Sequence, residues 1–331
     1  MDLKKYQTSY PLMARVCAHL VESRPIYKRM LSGLIQTYGR VFWENGEARC
    51  REILHLCDGD ADRFLASVYS WTRFSLEHIK RQQAFLEKRA YATTDFETVL
   101  HTLYEDSGEM KGYYLPALMY SYIFSANYIG FLAFFQNEVL PRIKKAGKVL
   151  DAGCGAGVYL TQMLLEMPGA SGTGLDISPA SLETTARLMD YHSVAPERYQ
   201  LIEGDLRRRV PVEDASQDAV VCCEVLEHLD DPAFALGELR RLLKPGGVLC
   251  LSAAIRMESI DHIHLFSHPG EVKEMLQRDG LEIIIEDFFP LTATAVTEPS
   301  HRARLIDDPN VALGYIALVS KSPSGNGASA L

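Results

Sequence analysis

The sequence has few of the features that mark several common protein classes. Its 331 residues carry 34 Lys and Arg against 43 Asp and Glu, so the net charge is −9, and there is no basic tail. Because proteins that track a phosphate backbone are rich in basic residues, we do not expect nucleic acid as a partner. The seven cysteines are scattered and never spaced as CxxC. Neither a disulfide framework nor a thiolate zinc site is therefore indicated.

The first residues, MDLKKYQTSYPLMARV, also lack the apolar run and cleavage site of a signal peptide. Together with the odd number of cysteines, this predicts a cytoplasmic protein. One charge-free segment, residues 112–137, is long enough to cross a bilayer, but a proline and polar side chains interrupt it. These are Pro116, Ser121, Ser125, Asn127 and Gln136. We predict a buried or gating helix and no membrane span.

Two patterns divide the chain. Residues 1–145 show helical spacing of apolar residues, for example at Phe64, Val68 and Trp71. From Lys148 onward, short β-branched runs alternate with amphipathic segments. The seven predicted strands are KVLDAG, SGTGLDI, YQLIEGD, DAVVCCEV, GVLCLSAA, LEIIIEDFF and VALGYIALVS. This alternation predicts a parallel sheet with helices on both faces. No long helix is predicted between the last two strands, which leaves an antiparallel arrangement of that pair open. We expect a helical domain over 1–145, an α/β domain over 146–321 and a disordered tail over 322–331.

The strongest local signal is VLDAGCGAGVYL, residues 149–160, which reads as a strand, a glycine-rich turn and the start of a helix. Glycines in such a turn let a ligand approach the backbone closely. A nicotinamide-type GxGxxG pattern would need glycine where Val158 stands, so that pattern fails. The string instead resembles the first motif of class I S-adenosylmethionine-dependent methyltransferases.

The later motifs of that family follow in order: GLDIS, EGDL, CCEVLEHLDDP and LKPGGVL. The resemblance implies a Rossmann-like seven-stranded α/β sheet and S-adenosylmethionine as the cofactor. It implies that Asp176 binds the ribose hydroxyls, since a carboxylate accepts two hydrogen bonds. Asp205 and Leu206 would flank the adenine, and Glu224 and Val225 would line the methionine side. The expected cofactor-binding residues are Asp151, Gly153, Cys154, Gly155, Gly157, Asp176, Ile177, Gly204, Asp205, Leu206, Glu224 and Val225.

Five histidines follow predicted strands four to six, where ligands bind in open α/β sheets. They are His228, His262, His264, His268 and His301. Neutral imidazole serves as a general base or as a metal ligand, so both chemistries are open. We expect His228, His262 and His301 to be catalytic.

The string DHIHLFSHPGEVKEMLQRDGLEI resembles α-keto acid C-methyltransferases of small-molecule metabolism. The resemblance implies methylation at the β-carbon of an α-keto acid through a metal-stabilised enolate, with 2-ketoarginine as the leading substrate. It also implies a divalent metal bound by histidines, for which Zn or Fe(II) is suited. We expect His262 and His301 as its ligands, with His264 or His228 as the third. Antibiotic biosynthesis is the expected setting. A guanidinium-bearing substrate would need carboxylates nearby. The candidates are Asp307, Asp308, Glu105, Asp106 and Glu109.

Two alternatives stay open. One is a metal-free O- or N-methyltransferase of a natural-product intermediate, in which His228 or His262 acts as general base. The other is a noncatalytic protein that binds the cofactor or a partner, which the intact acids disfavour. By analogy with small-molecule methyltransferases, the helical region is expected to form a lid and a homodimer surface. The tyrosines expected to face the acceptor or the dimer partner are Tyr113, Tyr114, Tyr120, Tyr122 and Tyr128.

Overall fold

A helical region precedes the sheet. The computed structural model describes residues 3–93, 95–291 and 304–321. Three long helices come first: α1 (Pro11–Ser23), α2 (Ile26–Leu56) and α3 (Ala61–Lys88). The carboxylate of Asp60 accepts two backbone N–H groups of the first turn of α3, which explains why that helix begins there.

Short helices and π-helical turns follow. The helices are α4 (Phe96–Val99), α5 (Ser107–Glu109), α6 (Leu115–Phe124), α7 (Ala126–Phe134) and α8 (Leu140–Ile143). The π-helical turns are Leu100–Tyr104, Met110–Tyr114 and Phe135–Val139. The 3.6-residue periodicity of apolar side chains does not reveal π-helical turns. The sequence therefore predicted helix over this stretch but not the positions of these turns.

The charge-free segment forms α6 and α7, which are separated by the extended residue Ser125. Most of its side chains are buried, as predicted. Among the described residues, no single helix has the length and apolar composition of a membrane span. The helix pair Ser107–Phe124 and Ala126–Ile143 has this length and composition when its two helices are taken together, and the pair is bent by 76°.

The sheet has the seven predicted strands, in the order β3-β2-β1-β4-β5-β7-β6. Their bounds are β1 (Lys148–Ala152), β2 (Ser171–Asp176), β3 (Tyr199–Glu203), β4 (Gln217–Cys222), β5 (Leu243–Ile255), β6 (Leu281–Pro290) and β7 (Leu313–Lys321). The flanking helices are α9 (Val158–Glu166), α10 (Pro179–Tyr191), α11 (Pro232–Leu242) and α12 (Pro269–Arg278). Strands β1 to β5 are parallel, whereas β7 is antiparallel to both β5 and β6. The Rossmann-like fold class is confirmed.

The strand order reverses between β1 and β4, so a crevice opens at their carboxyl ends. The helical region lies over this crevice and shares a core with the sheet. The ring of Phe131 on α7 packs edge-on against Phe289 of β6 and fills the space above Gly314 of β7. Helical side chains can therefore reach the ligand-binding end of the sheet.

Candidate active site

The glycine-rich turn after β1 forms one wall of the crevice. Gly153, Gly155 and Gly157 all have positive φ, between 52° and 78°, a backbone conformation that L side chains rarely adopt. A Cβ atom on Gly153 would lie 2.5 Å from Cγ2 of Val225. Glycine at this position thus keeps open the space between the turn and the loop after β4.

Asp176, at the end of β2, faces the turn. Its Oδ2 accepts the N–H of Gly155 at 2.8 Å, and its Oδ1 accepts the N–H of Ser178 at 2.9 Å. Each oxygen of a carboxylate has a further lone pair, which leaves acceptors for the hydroxyls of a ribose. Burial raises the pKa of Asp176 above its ordinary value.

Asp151 and Gly157, two of the expected cofactor contacts, do not line the cavity. The carboxylate of Asp151 is buried beneath the turn and accepts the N–H of Leu160 at 3.0 Å, in the first turn of α9. Burial raises its pKa to about 7. Gly157 packs on α10, where a Cβ would lie 2.7 Å from Cγ2 of Thr185. Both residues support the turn from behind.

Asp205 and Leu206 line the next part of the cavity, beyond β3. The guanidinium of Arg207 holds both carboxylate oxygens of Asp205, at 3.0 to 3.2 Å. It also stacks on the ring of Phe96, 3.6 Å from its centroid, and bonds Glu97 at 2.8 Å. Arg207 therefore ties the helical region to the expected adenine end of the site.

Glu224 lies where the chain leaves β4, in the strained left-handed conformation at φ 55°. Its backbone N–H donates to Oγ of Ser252, whose hydroxyl donates back to Oε1 of Glu224, both at 2.9 Å. Burial raises the pKa of Glu224 to about 7. The side chain lines the cavity, as expected of this residue.

Two histidines stand at the far end of the cavity, with ring centroids 4.9 Å apart. Nδ1 of His228 lies 3.0 Å from the carbonyl oxygen of Asp261, and Nδ1 of His262 lies 2.6 Å from that of Met257. Because a carbonyl oxygen only accepts, the Nδ1 of each ring is the donor in these contacts. Burial lowers the pKa of His262 to about 3, which keeps that ring neutral.

Glu227 completes a cluster with these histidines. One potential ligand atom from each of Glu227, His228 and His262 lies within 4.8 Å of the others. The Glu227 side chain is fully buried, and the backbone N–H groups of Glu227 and Ala254 interact with its carboxyl group. Burial raises the pKa of Glu227 well above its ordinary value. The three residues together form a candidate cation site.

The remaining predicted histidines lie elsewhere. The ring of His264 packs against Phe266 with centroids 4.5 Å apart and does not line the cavity, so it is not brought to the cluster. His268 caps α12 by accepting the N–H of Gly270. His301 lies outside the described residues.

The tyrosines of the charge-free segment divide between two settings. Tyr114, Tyr122 and Tyr128 line the cavity. Tyr113 instead donates its hydroxyl to Glu77, and Tyr120 donates to the carbonyl of Phe64 within the helical core. Three of the five tyrosines therefore lie where they can contact a ligand in the cavity.

Sequence reasoning did not single out several residues that lie in or beside the cavity. Glu227 is adjacent to His228 and Asp261 is adjacent to His262, so proximity to the predicted histidines was the available signal. Phe96, Tyr104 and Met110 also line the cavity, and no local pattern marks them, because docking of the helical region places them there.

The cavity as a whole encloses about 1100 Å³, part of it open to solvent. It extends from the glycine turn and Asp176 to His228 and His262, and its lining is largely apolar and aromatic. The open turn at Gly153 and the free lone pairs of Asp176 fit S-adenosylmethionine.

Comparisons with known proteins also indicate a methyltransferase. The family described as "Methyltransferase domain" matches residues 150–249. Over 192 residues the chain is 39% identical to "Ubiquinone biosynthesis O-methyltransferase" of Pseudomonas paraeruginosa (strain DSM 24068 / PA7) and 33% identical to that of Pseudomonas aeruginosa (strain LESB58). Each match covers 52% of this chain and 79% of the relative.

Among solved structures, an O-methyltransferase family protein from Burkholderia thailandensis has a similar fold. Its TM-score is 0.53 at 17% identity, and the match covers 79% of this chain and 73% of that chain. S-adenosylmethionine is accordingly the cofactor. The chain belongs to the family of class I S-adenosylmethionine-dependent methyltransferases.

Proposed function

We propose that this methyltransferase acts on a small α-keto acid, which it methylates at the β-carbon with a divalent cation bound by Glu227, His228 and His262. The observation that carries the proposal is the close grouping of Glu227, His228 and His262, three buried residues whose potential ligand atoms lie within 4.8 Å of one another. Two histidines and one carboxylate are a ligand set used for Zn and Fe(II).

The hydrogen bonds of the two histidines support a role as ligands. Metal-binding imidazoles usually donate their second nitrogen to a carbonyl or a carboxylate, which fixes the orientation of the ring. The Nδ1 atoms of His228 and His262 do this toward Asp261 and Met257. A divalent cation held there would polarise an acceptor oxygen and make the adjacent C–H group more acidic.

The acceptor must lose a proton when the new carbon–carbon bond forms. Glu224 lines the cavity, and its pKa of about 7 suits a general base near neutral pH. Ser252 holds only one of its oxygens among the contacts described, so the other is free to receive the proton.

The lining of the cavity favours an apolar acceptor side chain over a guanidinium. None of the carboxylates considered for 2-ketoarginine, Glu105, Asp106, Glu109, Asp307 and Asp308, lines the cavity. Glu224 and Asp261 do line it, but they already accept hydrogen bonds from Ser252 and from Tyr104 and Tyr114. Phe74, Tyr122 and Tyr128 also line the cavity. We therefore propose an α-keto acid with an aromatic or branched side chain, such as phenylpyruvate.

Metal content tests the ligand set directly. The wild type, Glu227→Gln and His262→Asn would be purified alike and analysed by elemental mass spectrometry. The matched control is His264→Asn, which alters a neighbouring histidine outside the cluster. We expect about one metal ion per chain in the wild type and in the control, and loss in the other two. Equal metal content in all four proteins would overturn the proposal.

A second candidate is O-methylation without a metal. It is favoured by His228, whose Nδ1 contacts Asp261 while Nε2 stays free to remove a proton from a hydroxyl. It also agrees with the relatives named as O-methyltransferases. Turnover of a phenol such as 3,4-dihydroxybenzoate that is unaffected by a chelator would favour this candidate.

A further inference from the structure

Two tyrosine hydroxyls from the helical region meet on one carboxylate oxygen of the α/β domain. Tyr104 donates to Oδ2 of Asp261 at 3.2 Å, and Tyr114 donates to the same atom at 2.6 Å. Asp261 is buried, in the loop after β5. The bonds span 157 and 147 residues of sequence, so only the docked fold creates them.

The backbone places both tyrosines in the same way. Tyr104 ends the π-helical turn Leu100–Tyr104, and Tyr114 ends the turn Met110–Tyr114. A π-helical turn shifts the following side chains relative to an α-helix, and such turns occur often at functional sites. The helical region is thus shaped to deliver two hydroxyls to one point.

The contact point lies beside His228. Oδ2 of Asp261 is 3.4 Å from Nδ1 of His228, and the hydroxyl of Tyr104 is 3.3 Å from the same nitrogen. The backbone oxygen of Asp261 accepts from that Nδ1 at 3.0 Å. Any shift of Asp261 therefore reorients the imidazole of His228, which lines the cavity.

We infer that Tyr104 and Tyr114 are positioning residues for methyl transfer. They hold the Asp261 carboxylate against His228, and so they fix the imidazole at the acceptor end of the cavity. The helical region then contributes to the acceptor site itself besides covering it. The inference rests on methyl transfer in this cavity, as proposed above, and on neither a particular acceptor nor the metal.

Phenylalanine variants separate this role from packing. The rings of Tyr104 and Tyr114 also contact Phe96 and Phe74, at centroid distances of 6.4 and 6.2 Å, and phenylalanine retains those contacts. Tyr104→Phe and Tyr114→Phe remove only the hydroxyls. The matched control is Tyr113→Phe, because its hydroxyl bonds Glu77 outside the cavity.

The experiment measures kcat and KM with phenylpyruvate and 3,4-dihydroxybenzoate as probes, and S-adenosylhomocysteine affinity by calorimetry. For the double variant we expect kcat to fall by about tenfold to a hundredfold, as loss of hydrogen bonds to a charged group predicts. Affinity for S-adenosylhomocysteine and the melting temperature should stay near wild type, and Tyr113→Phe should match wild type throughout. An unchanged kcat in the double variant would overturn the inference.

Asp261→Asn adds a further distinction, since its amide oxygen can still accept both hydroxyls but carries no charge. We expect wild-type protection of amides 100–116 in hydrogen exchange together with a reduced kcat. Wild-type kcat in Asp261→Asn would show a purely structural contact and contradict the inference.

If the wild type methylates neither probe, the proposed function fails by itself. NMR of protein labelled with ¹⁵N-histidine, in the complex with S-adenosylhomocysteine, then decides the inference, because it reports on the His228 ring itself. A changed ¹⁵N signal of His228 in the double variant, and not in Tyr113→Phe, would support it. An unchanged His228 signal in the double variant would overturn it.

Discussion

The backbone N–H of Gly155 donates a hydrogen bond of 2.8 Å to Oδ2 of Asp176. This bond joins the glycine turn after β1 to the end of the neighbouring strand β2, and Ser178 donates to the other oxygen. One carboxylate thus holds the two loops that must enclose the cofactor. The geometry of the site depends on Asp176 even before a ligand binds.

Replacement of Asp176 by alanine should weaken cofactor binding. The variant loses the bonds to Gly155 and Ser178 and the expected bonds to the ribose hydroxyls. Hydrogen bonds to charged groups contribute about 1.5–3 kcal/mol, so affinity should fall by about tenfold to a hundredfold. Calorimetry with S-adenosylhomocysteine measures this. Asp190→Ala, on the exposed face of α10, serves as the control and should bind normally. Unchanged affinity in Asp176→Ala would remove this residue from the binding site.

The buried Asp151 should make stability depend on pH. Burial raises its folded-state pKa from 3.8 to about 7, so between these values the folded chain holds a proton that the unfolded chain releases. The free energy of unfolding therefore falls as pH rises through this window, by up to about 4 kcal/mol.

Asp151→Asn cannot ionise, yet its amide oxygen still accepts from Leu160. Urea unfolding at pH 5 and pH 8 should show the variant gaining stability relative to wild type at the higher pH. Asp190→Asn should follow wild type. Parallel pH dependence in wild type and Asp151→Asn would show that Asp151 ionises normally in the fold.

Two helical glycines should respond oppositely to alanine. A Cβ on Gly130 of α7 would lie 2.3 Å from the ring of Phe289, whereas Gly237 of α11 has open space. Overpacking costs about 1–3 kcal/mol, so Gly130→Ala should destabilise the fold. Gly237→Ala should stabilise it by about 0.5–1 kcal/mol through helix propensity. The urea midpoints of both variants measure the effects, and equal shifts would argue against α7 packing tightly on the sheet.

The sequence was sufficient to predict the sheet and the cofactor end of the site. Runs of β-branched residues marked the seven strands, and Gly153, Asp176 and Asp205 lie at strand ends, where topology alone brings them together. The position of Asp151 was harder to foresee. Asp151 belongs to the same motif as Gly153, but its carboxylate turns inward and accepts the N–H of Leu160, because the first turn of α9 needs an acceptor there.

The acceptor end could be predicted only in part. His228 and His262 follow strands, so their approach was foreseeable, but the inclusion of Glu227 and the exclusion of His264 depend on side-chain direction in irregular loops. Tyr104 and Tyr114 depend on π-helical turns and on docking of the helical region. Neither leaves a periodic signal in the sequence.

The most direct test follows the methyl group itself. The protein would be incubated with S-adenosylmethionine labelled with ¹³C in its methyl group and with phenylpyruvate or 3,4-dihydroxybenzoate, with and without a chelator. Product NMR then distinguishes a methyl on carbon from one on oxygen. The account predicts that the ¹³C label appears on the β-carbon of phenylpyruvate. It also predicts that this labelled product is lost with Asp176→Ala and when the chelator is present. Label on oxygen alone, unaffected by the chelator, would contradict the proposed acceptor. The absence of labelled product from both phenylpyruvate and 3,4-dihydroxybenzoate would contradict catalysis on either class of compound.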